Sequence, residues 1–179
     1  MADPLTVHER VLQTLRTEGQ AMLALAEGLN TDESQRLAWA KAVELLIPCQ
    51  GHLVVSGMGK SGLVGAKISA TCSSLGLPSS FLHPSEAVHG DLGRIGPEDV
   101  ALLISNSGGT AEVVDLALHL RTDGVPTIGM SAHDDSPLAE SVSVHLRLAP
   151  PDATPDEACP WDLAPTTSTA SCELMNSQT

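Results

Sequence analysis

Aromatic side chains are nearly missing from this sequence: Trp39, Phe81 and Trp161 are the whole set, and there is no tyrosine. A surface that stacks the bases of single-stranded nucleic acid has almost nothing to be built from. Cationic residues are scarce too, with 9 Lys and Arg against 22 Asp and Glu and a formal charge of -13, so the molecule as a whole repels a phosphate backbone. No nucleic acid partner is expected. No apolar run reaches the roughly 18 residues of a membrane span, and residues 1–18 carry charges without an apolar signal core. The expectation is a soluble, cytoplasmic protein with no membrane partner. Cys49, Cys72, Cys159 and Cys172 show no C-x-x-C spacing and are expected to be free thiols in a reducing cytosol.

What is present suits a single domain spanning 1–179, since 42% of the residues are hydrophobic and a chain of this length holds one ordinary core. Val11, Leu12, Leu15, Met22, Leu23, Leu25 and Ala26 recur near helical spacing and predict a helix over 7–28. Thr31-Asp32-Glu33 opens a second helix through about 46. Strands follow at 52–56, 79–83, 100–105, 127–131 and 142–148, alternating with helices at 63–75, 86–90, 110–122 and 137–139. Such alternation means a parallel sheet with helices on both faces. The apolar runs Leu53-Val54-Val55 and Val100-Ala101-Leu102-Leu103-Ile104 fit strands covered on both sides. The expected fold class is α/β, a three-layer α-β-α sandwich around a five-stranded parallel sheet, with helices at the N-terminus. A Pro/Asp segment at 150–155 ends the pattern, and Thr166-Thr167-Ser168-Thr169 introduces a final short helix.

Ligands in such folds bind beyond the carboxyl ends of the strands. The loops there, 57–62, 83–93, 106–110 and 132–136, are the chain's richest clusters of Gly, Ser, His and Asp. In Ser56-Gly57-Met58-Gly59-Lys60-Ser61-Gly62, a strand end, a tight glycine loop and a helix start make an anion site, where backbone N–H groups and the helix dipole face a phosphate. A nucleotide P-loop needs a glycine five residues before the Gly-Lys-Ser end. Val54 stands there, so the loop is too short for a polyphosphate and suits a smaller phosphate ester.

Ser105-Asn106-Ser107-Gly108-Gly109-Thr110 repeats the plan, with Glu112 in the first helical turn. An ordinary N-cap explains that loop on its own, but two such loops at one sheet edge point to a sugar-phosphate pocket. His83 and His89, with Glu86 between them and Asp91 beyond, have the composition of a metal-ligand cluster or of plain loop histidines. The other histidines, His8, His52, His119, His133 and His145, are read as structural or surface residues. No Gly-x-Ser-x-Gly elbow occurs, which argues against a Ser-His-Asp hydrolase.

Five blocks together carry a resemblance. Gly57-Met58-Gly59-Lys60-Ser61-Gly62, the stretch His83-Pro84-Ser85-Glu86-Ala87-Val88-His89-Gly90-Asp91-Leu92-Gly93, Ile104-Ser105-Asn106-Ser107-Gly108, Glu157-Ala158-Cys159-Pro160 and Leu163-Ala164-Pro165-Thr166-Thr167-Ser168-Thr169 resemble the sugar isomerase (SIS) domain of arabinose-5-phosphate isomerases. The likeness spans roughly 11–170, and the second and fourth blocks are specific to that branch of SIS proteins. It implies a Rossmann-like SIS fold and reversible conversion of D-arabinose 5-phosphate and D-ribulose 5-phosphate, the entry step to the Kdo sugar of lipopolysaccharide. Aldose-ketose exchange moves a proton between C1 and C2 through an enediol, so it needs a general base, an acid for the carbonyl oxygens and stabilised oxyanion charge.

By motif match, the resemblance puts catalysis on Lys60, Glu112 and Glu157. Lys60 would stabilise the enediolate or hold the phosphate, and either carboxylate would shuttle the proton. A surface lysine and helix-end charges are the plain alternatives. The implied substrate contacts are Gly59, Ser61, His89, Ser105, Asn106, Ser107, Thr110, Thr167 and Ser168. The resemblance implies no required cofactor and puts His83 at a metal-binding position where zinc tends to inhibit. The resemblance also implies a sugar phosphate as partner and a homo-oligomer, in the family usually a tetramer with the N-terminal helices and the last helix in its interfaces. Relatives continue with a His-Pro-Gly-Gly loop and often with paired cystathionine-synthase-like domains, whereas this sequence stops at Thr179. The shortfall keeps open a non-catalytic sugar-phosphate-binding or regulatory SIS module, and an isomerase of another phosphosugar is a third reading.

Overall fold

Every residue of β1 (Leu53–Gly57), β3 (Val100–Ile104) and β4 (Thr127–Ser131) is buried. Strands with no exposed face need helices above and below the sheet. The computed structural model, which describes residues 4–148, provides that cover. β2 (Ser79–Leu82) and β5 (Val144–Arg147) are the sheet edges, and the order β2-β1-β3-β4-β5 is parallel throughout. The helices are α1 (Pro4–Thr31), α2 (Glu33–Leu46), α3 (Gly59–Ser74), α4 (Pro84–Ala87), α5 (Ala111–Thr122) and α6 (Pro137–Ser141).

Successive side chains of a strand point to opposite faces, and the two apolar layers follow that alternation. Val55, Leu102 and Met130 meet Ala42 of α2 and Val64 and Ile68 of α3 on one face. Val54, Ala101 and Leu103 meet Leu116 and Leu120 of α5 and Leu138 of α6 on the other. The three-layer α/β sandwich and the five-stranded parallel sheet are therefore as expected. Cys49 and Cys72 are free thiols, and no described helix is long and apolar enough to cross a membrane. The Glu-Ala-Cys-Pro block, Cys159, Cys172 and the final helix lie outside the described residues.

The first helix runs longer than expected at both ends, α6 reaches Ser141 and β5 is confined to Val144–Arg147, and the starts of α3 and α4 differ from expectation for a local reason. α3 begins at Gly59 rather than 63, because Gly59 takes a φ of 54° and turns the chain straight from the strand into the helix. Lys60 and Ser61 thus belong to the first turn. α4 begins at Pro84 rather than 86, since proline has its φ preset for the first helical position and no N–H to leave unbonded.

Charge fastens α2 to the β5 edge. Asp32 Oδ1 accepts the N–H groups of Ser34 (3.0 Å) and Gln35 (3.2 Å), and its Oδ2 pairs with Arg147 Nη2 at 2.8 Å. Gln35 Oε1 accepts the Arg147 N–H at 2.9 Å. The bonds from Ser34, Gln35 and Arg147 hold the Asp32 pKa down at about 2. A carboxyl lowered in the folded state contributes stability above its unfolded value of about 3.9, and loses it as pH falls through the folded value. The Asp32→Asn variant is expected to be less stable than the parent near neutral pH. That gap should shrink from about pH 4 downward, as read by urea unfolding at stepped pH, and a gap that stays constant would contradict the assignment.

Candidate functional site

Parallel strands whose helices leave to opposite faces open a crevice at their carboxyl ends, and in the order 2-1-3-4-5 this happens between β1 and β3. α3 follows β1 and packs on one face, while α5 follows β3 and packs on the other. The two strand ends are in register, Gly57 opposite Ile104, so the loops that begin at Met58 and Ser105 leave the sheet side by side.

Both helices start without a side-chain cap. Asp32 caps α2, the His83 Nδ1 accepts the Ser85 N–H at 3.3 Å to cap α4, and Ser136 Oγ accepts the Ala139 N–H at 3.3 Å to cap α6. At α3 the N-cap is Met58, which has no side-chain acceptor to offer. At α5 the N-cap is Thr110, a residue type suited to capping, yet its hydroxyl bonds the Ser105 Oγ at 2.9 Å. The first-turn N–H groups of both helices therefore face the crevice without a side-chain acceptor, each helix end carrying about half a positive charge. Beside them, Asn106 Oδ1 is buried without a hydrogen-bond partner, an acceptor that a ligand hydroxyl would satisfy.

Gly59, Lys60 and Ser61 form the first turn of α3, with Lys60 exposed. Ser105, Asn106, Ser107 and Thr110 make the β3–α5 turn, and Glu112 is exposed in the first turn of α5. The fold thus brings these two groups to the same crevice. His83 stands at the end of the neighbouring edge strand β2, and His89 is exposed just beyond α4, its N–H bonded to the Glu86 carbonyl at 3.1 Å. Glu157, Thr167 and Ser168 lie outside the described residues. Among the described residues no three His, Cys, Asp or Glu side chains converge as a metal site, and His83 already uses Nδ1 as a cap. No step below depends on a metal ion.

Residues 46–175 match the family model described as SIS domain. The chain belongs to the SIS domain family. The arabinose 5-phosphate isomerase KdsD of Yersinia pestis is 41% identical over 163 residues, covering 91% of this chain and 47% of that protein. The arabinose 5-phosphate isomerase KdsD of Pseudomonas aeruginosa is 51% identical over 131 residues, 73% of this chain and 39% of that protein. The chain therefore spans about half or less of the length of the curated relatives it matches. Among solved structures, c3406 of Escherichia coli CFT073 in complex with arabinose 5-phosphate superposes with a TM-score of 0.83 at 32% identity, over 98% of this chain and 88% of that one.

Three residues that no motif singles out stand behind the second SIS loop: Ser131, Ser136 and His145. Gly108 has a φ of 66°, and a Cβ added there would collide with the Ser136 hydroxyl. The usable signal was in β5, where Val144-His145-Leu146-Arg147 alternates apolar and polar residues and so places His145 and Arg147 on one face. Gly59 also has a positive φ, but its Cβ direction is open. Gly59→Ala should therefore cost about 1 kcal/mol for the left-handed backbone alone, and Gly108→Ala about 2 kcal/mol or more because the Ser136 contact is added. Urea unfolding of both variants checks the ranking, and equal losses would contradict it.

Proposed function

We propose that this SIS domain binds D-arabinose 5-phosphate across the β1/β3 crevice and supplies residues for its reversible isomerisation to D-ribulose 5-phosphate, the step that feeds Kdo synthesis. The observation that carries the reading is the pair of helix N-termini without side-chain caps, side by side at the switch point of the sheet. The likeness to arabinose 5-phosphate isomerases and to a protein solved with arabinose 5-phosphate supports the choice of sugar.

In this reading the 105–110 loop holds the phosphate, because Ser105, Ser107 and Thr110 bring hydroxyl donors to an N–H-rich helix start. The free acceptor of Asn106 takes a sugar hydroxyl. Gly59 and Ser61 then face the reacting end of the sugar, and the Lys60 ammonium stabilises the enediolate charge that develops when the C2 proton leaves. Glu112 or Glu157 carries that proton between C2 and C1 as a general base and then a general acid. His89 serves as a further substrate contact.

The test follows formation of ribulose 5-phosphate with the full chain. Lys60→Ala should lower kcat by on the order of 10²-fold or more. Of Glu112→Gln and Glu157→Gln, the variant with the larger loss in kcat at similar KM marks the proton-carrying group. Tight binding without proton exchange at C2 in deuterated water would instead make the chain a sugar-phosphate-binding or regulatory module.

The domain works as a homo-oligomer in this proposal, with the tetramer expected from the family. Of the described side chains of α1, only Leu25 is buried, while Val7, Val11 and Leu15 repeat at four-residue intervals on exposed surface and Leu15 is 61% exposed. An apolar stripe of that kind marks an interaction surface. Leu15→Glu should lower the mass of the parent assembly in analytical ultracentrifugation, and an unchanged mass would remove α1 from the interface.

A further inference from the structure

A chain of hydrogen bonds behind the second loop takes no part in the chemistry proposed above. His145 Nδ1 lies 3.3 Å from Asp134 Oδ1, and its Nε2 lies 2.7 Å from Ser131 Oγ. Ser131 Oγ is 3.0 Å from Ser136 Oγ and 3.0 Å from the His133 carbonyl oxygen. Ser136 fills the space that Gly108 leaves, and the same β4–α6 connection holds the ligand loop by its backbone. The Leu138 N–H donates to the Gly108 carbonyl and the Ala132 N–H to the Asn106 carbonyl, both at 2.9 Å. Asp, His and Ser stand in the order of a hydrolytic triad, but Ser131 is 0% exposed. No substrate reaches it, and the array holds a loop rather than attacking a bond.

We propose that His145 is a positioning residue for the 105–110 loop, acting through Ser131 and Ser136, and that its protonation state sets how the loop presents its groups to a ligand. The proposal takes that loop to be the phosphosugar site. Donor counting gives the mechanism. A neutral imidazole that gives its Nδ1–H to Asp134 must accept at Nε2, so the single Ser131 proton goes to His145 and none is left for the His133 carbonyl. An imidazolium donates from both nitrogens, and the Ser131 proton then turns to His133. In both states Ser136 can donate to Ser131. One proton on His145 therefore re-aims a buried hydroxyl toward the connection that carries Ala132, Ser136 and Leu138.

The charged groups facing His145 are Asp134 from that connection and Arg147 from its own strand, with Asp32 of the α2 cap one bond further through Arg147. Gln35 of α2 is neutral and bridges to Asp134 at 3.3 Å. Burial is the largest influence and lowers the His145 pKa, Asp134 opposes it, and Arg147 adds to it. The neutral arrangement is the one at neutral pH.

The experiment is a pH titration of the whole ligand-free chain by NMR, following the His145 imidazole and the backbone amides of Asn106, Gly108 and Leu138. The amides are expected to move with the same midpoint as His145, below the usual histidine value of about 6.5. In Ser131→Ala, which removes the hydroxyl that changes partner, His145 should still titrate while Gly108 no longer follows. Loop amides indifferent to the His145 titration in the parent overturn the proposal, and no variant has to fold for that result. A second arm measures arabinose 5-phosphate affinity by calorimetry. Parent affinity should weaken roughly five- to tenfold as His145 gains its proton, the size of one lost hydrogen bond. His145→Gln should keep only the pH dependence of the ligand's own phosphate, and an unchanged pH step in this variant also overturns the proposal. If the parent does not bind the sugar phosphate, the substrate assignment falls and the ligand-free titration alone decides the coupling.

Discussion

The arrangement depends on one topological constraint. After β1 the chain crosses one face of the sheet to reach β2, and after β3 it crosses the other face to reach β4. Neighbouring strands thereby send their helices apart, and a crevice opens where two loops leave the sheet together. Hydrophobic burial of β1, β3 and β4 on both faces enforces the layering, because none of these strands has a side that tolerates water. The crevice is thus a by-product of core formation, and the residues in its loops are released from packing duty to do chemistry.

Electrostatics in the crevice run against the sign of the molecule. The chain carries 22 acidic and 9 basic residues, yet two helix starts without side-chain caps bring the positive ends of their dipoles to one place, with Lys60 in the first turn of α3. Local donors dominate at contact distance, whereas distant surface charge is screened within about 8 Å at physiological salt. The net charge of the molecule is therefore no obstacle to the proposed binding of a small phosphate ester. The capping pattern sharpens the point. α2, α4 and α6 spend a side chain on their first turn, and the helices beside the crevice do not.

Much of this is legible in the residues, because the signals are local. Continuous Val, Leu and Ile runs locate the central strands, and 3.6-residue spacing locates the long helices. The glycine and serine loops are marked by composition. The start of α3 falls four residues earlier than the pattern suggests, since rules for helix starts look for a capping Ser, Thr, Asp or Asn. Met58 gives no such signal, and Gly59 does the turning through its backbone. What stays hidden is long-range. Arg147 meets Asp32 across 115 positions, and Gln35 reaches Asp134 across 99. His145 reads as a structural or surface residue because its partners come from elsewhere, Ser131 from the end of the neighbouring strand β4 and Asp134 from the connection that follows it. Asn106 can be named as polar, but its unsatisfied oxygen is a property of packing alone.

The central claim is that the two helix starts at the β1/β3 switch form one phosphosugar site, and amide chemical-shift mapping during titration with arabinose 5-phosphate tests it most directly. The account predicts the largest shifts at Gly59, Lys60 and Ser61 together with Ser107 to Glu112, saturating with a single affinity. Shifts concentrated at the capped starts of α2 or α6, or two separate affinities for the two loops, would contradict it.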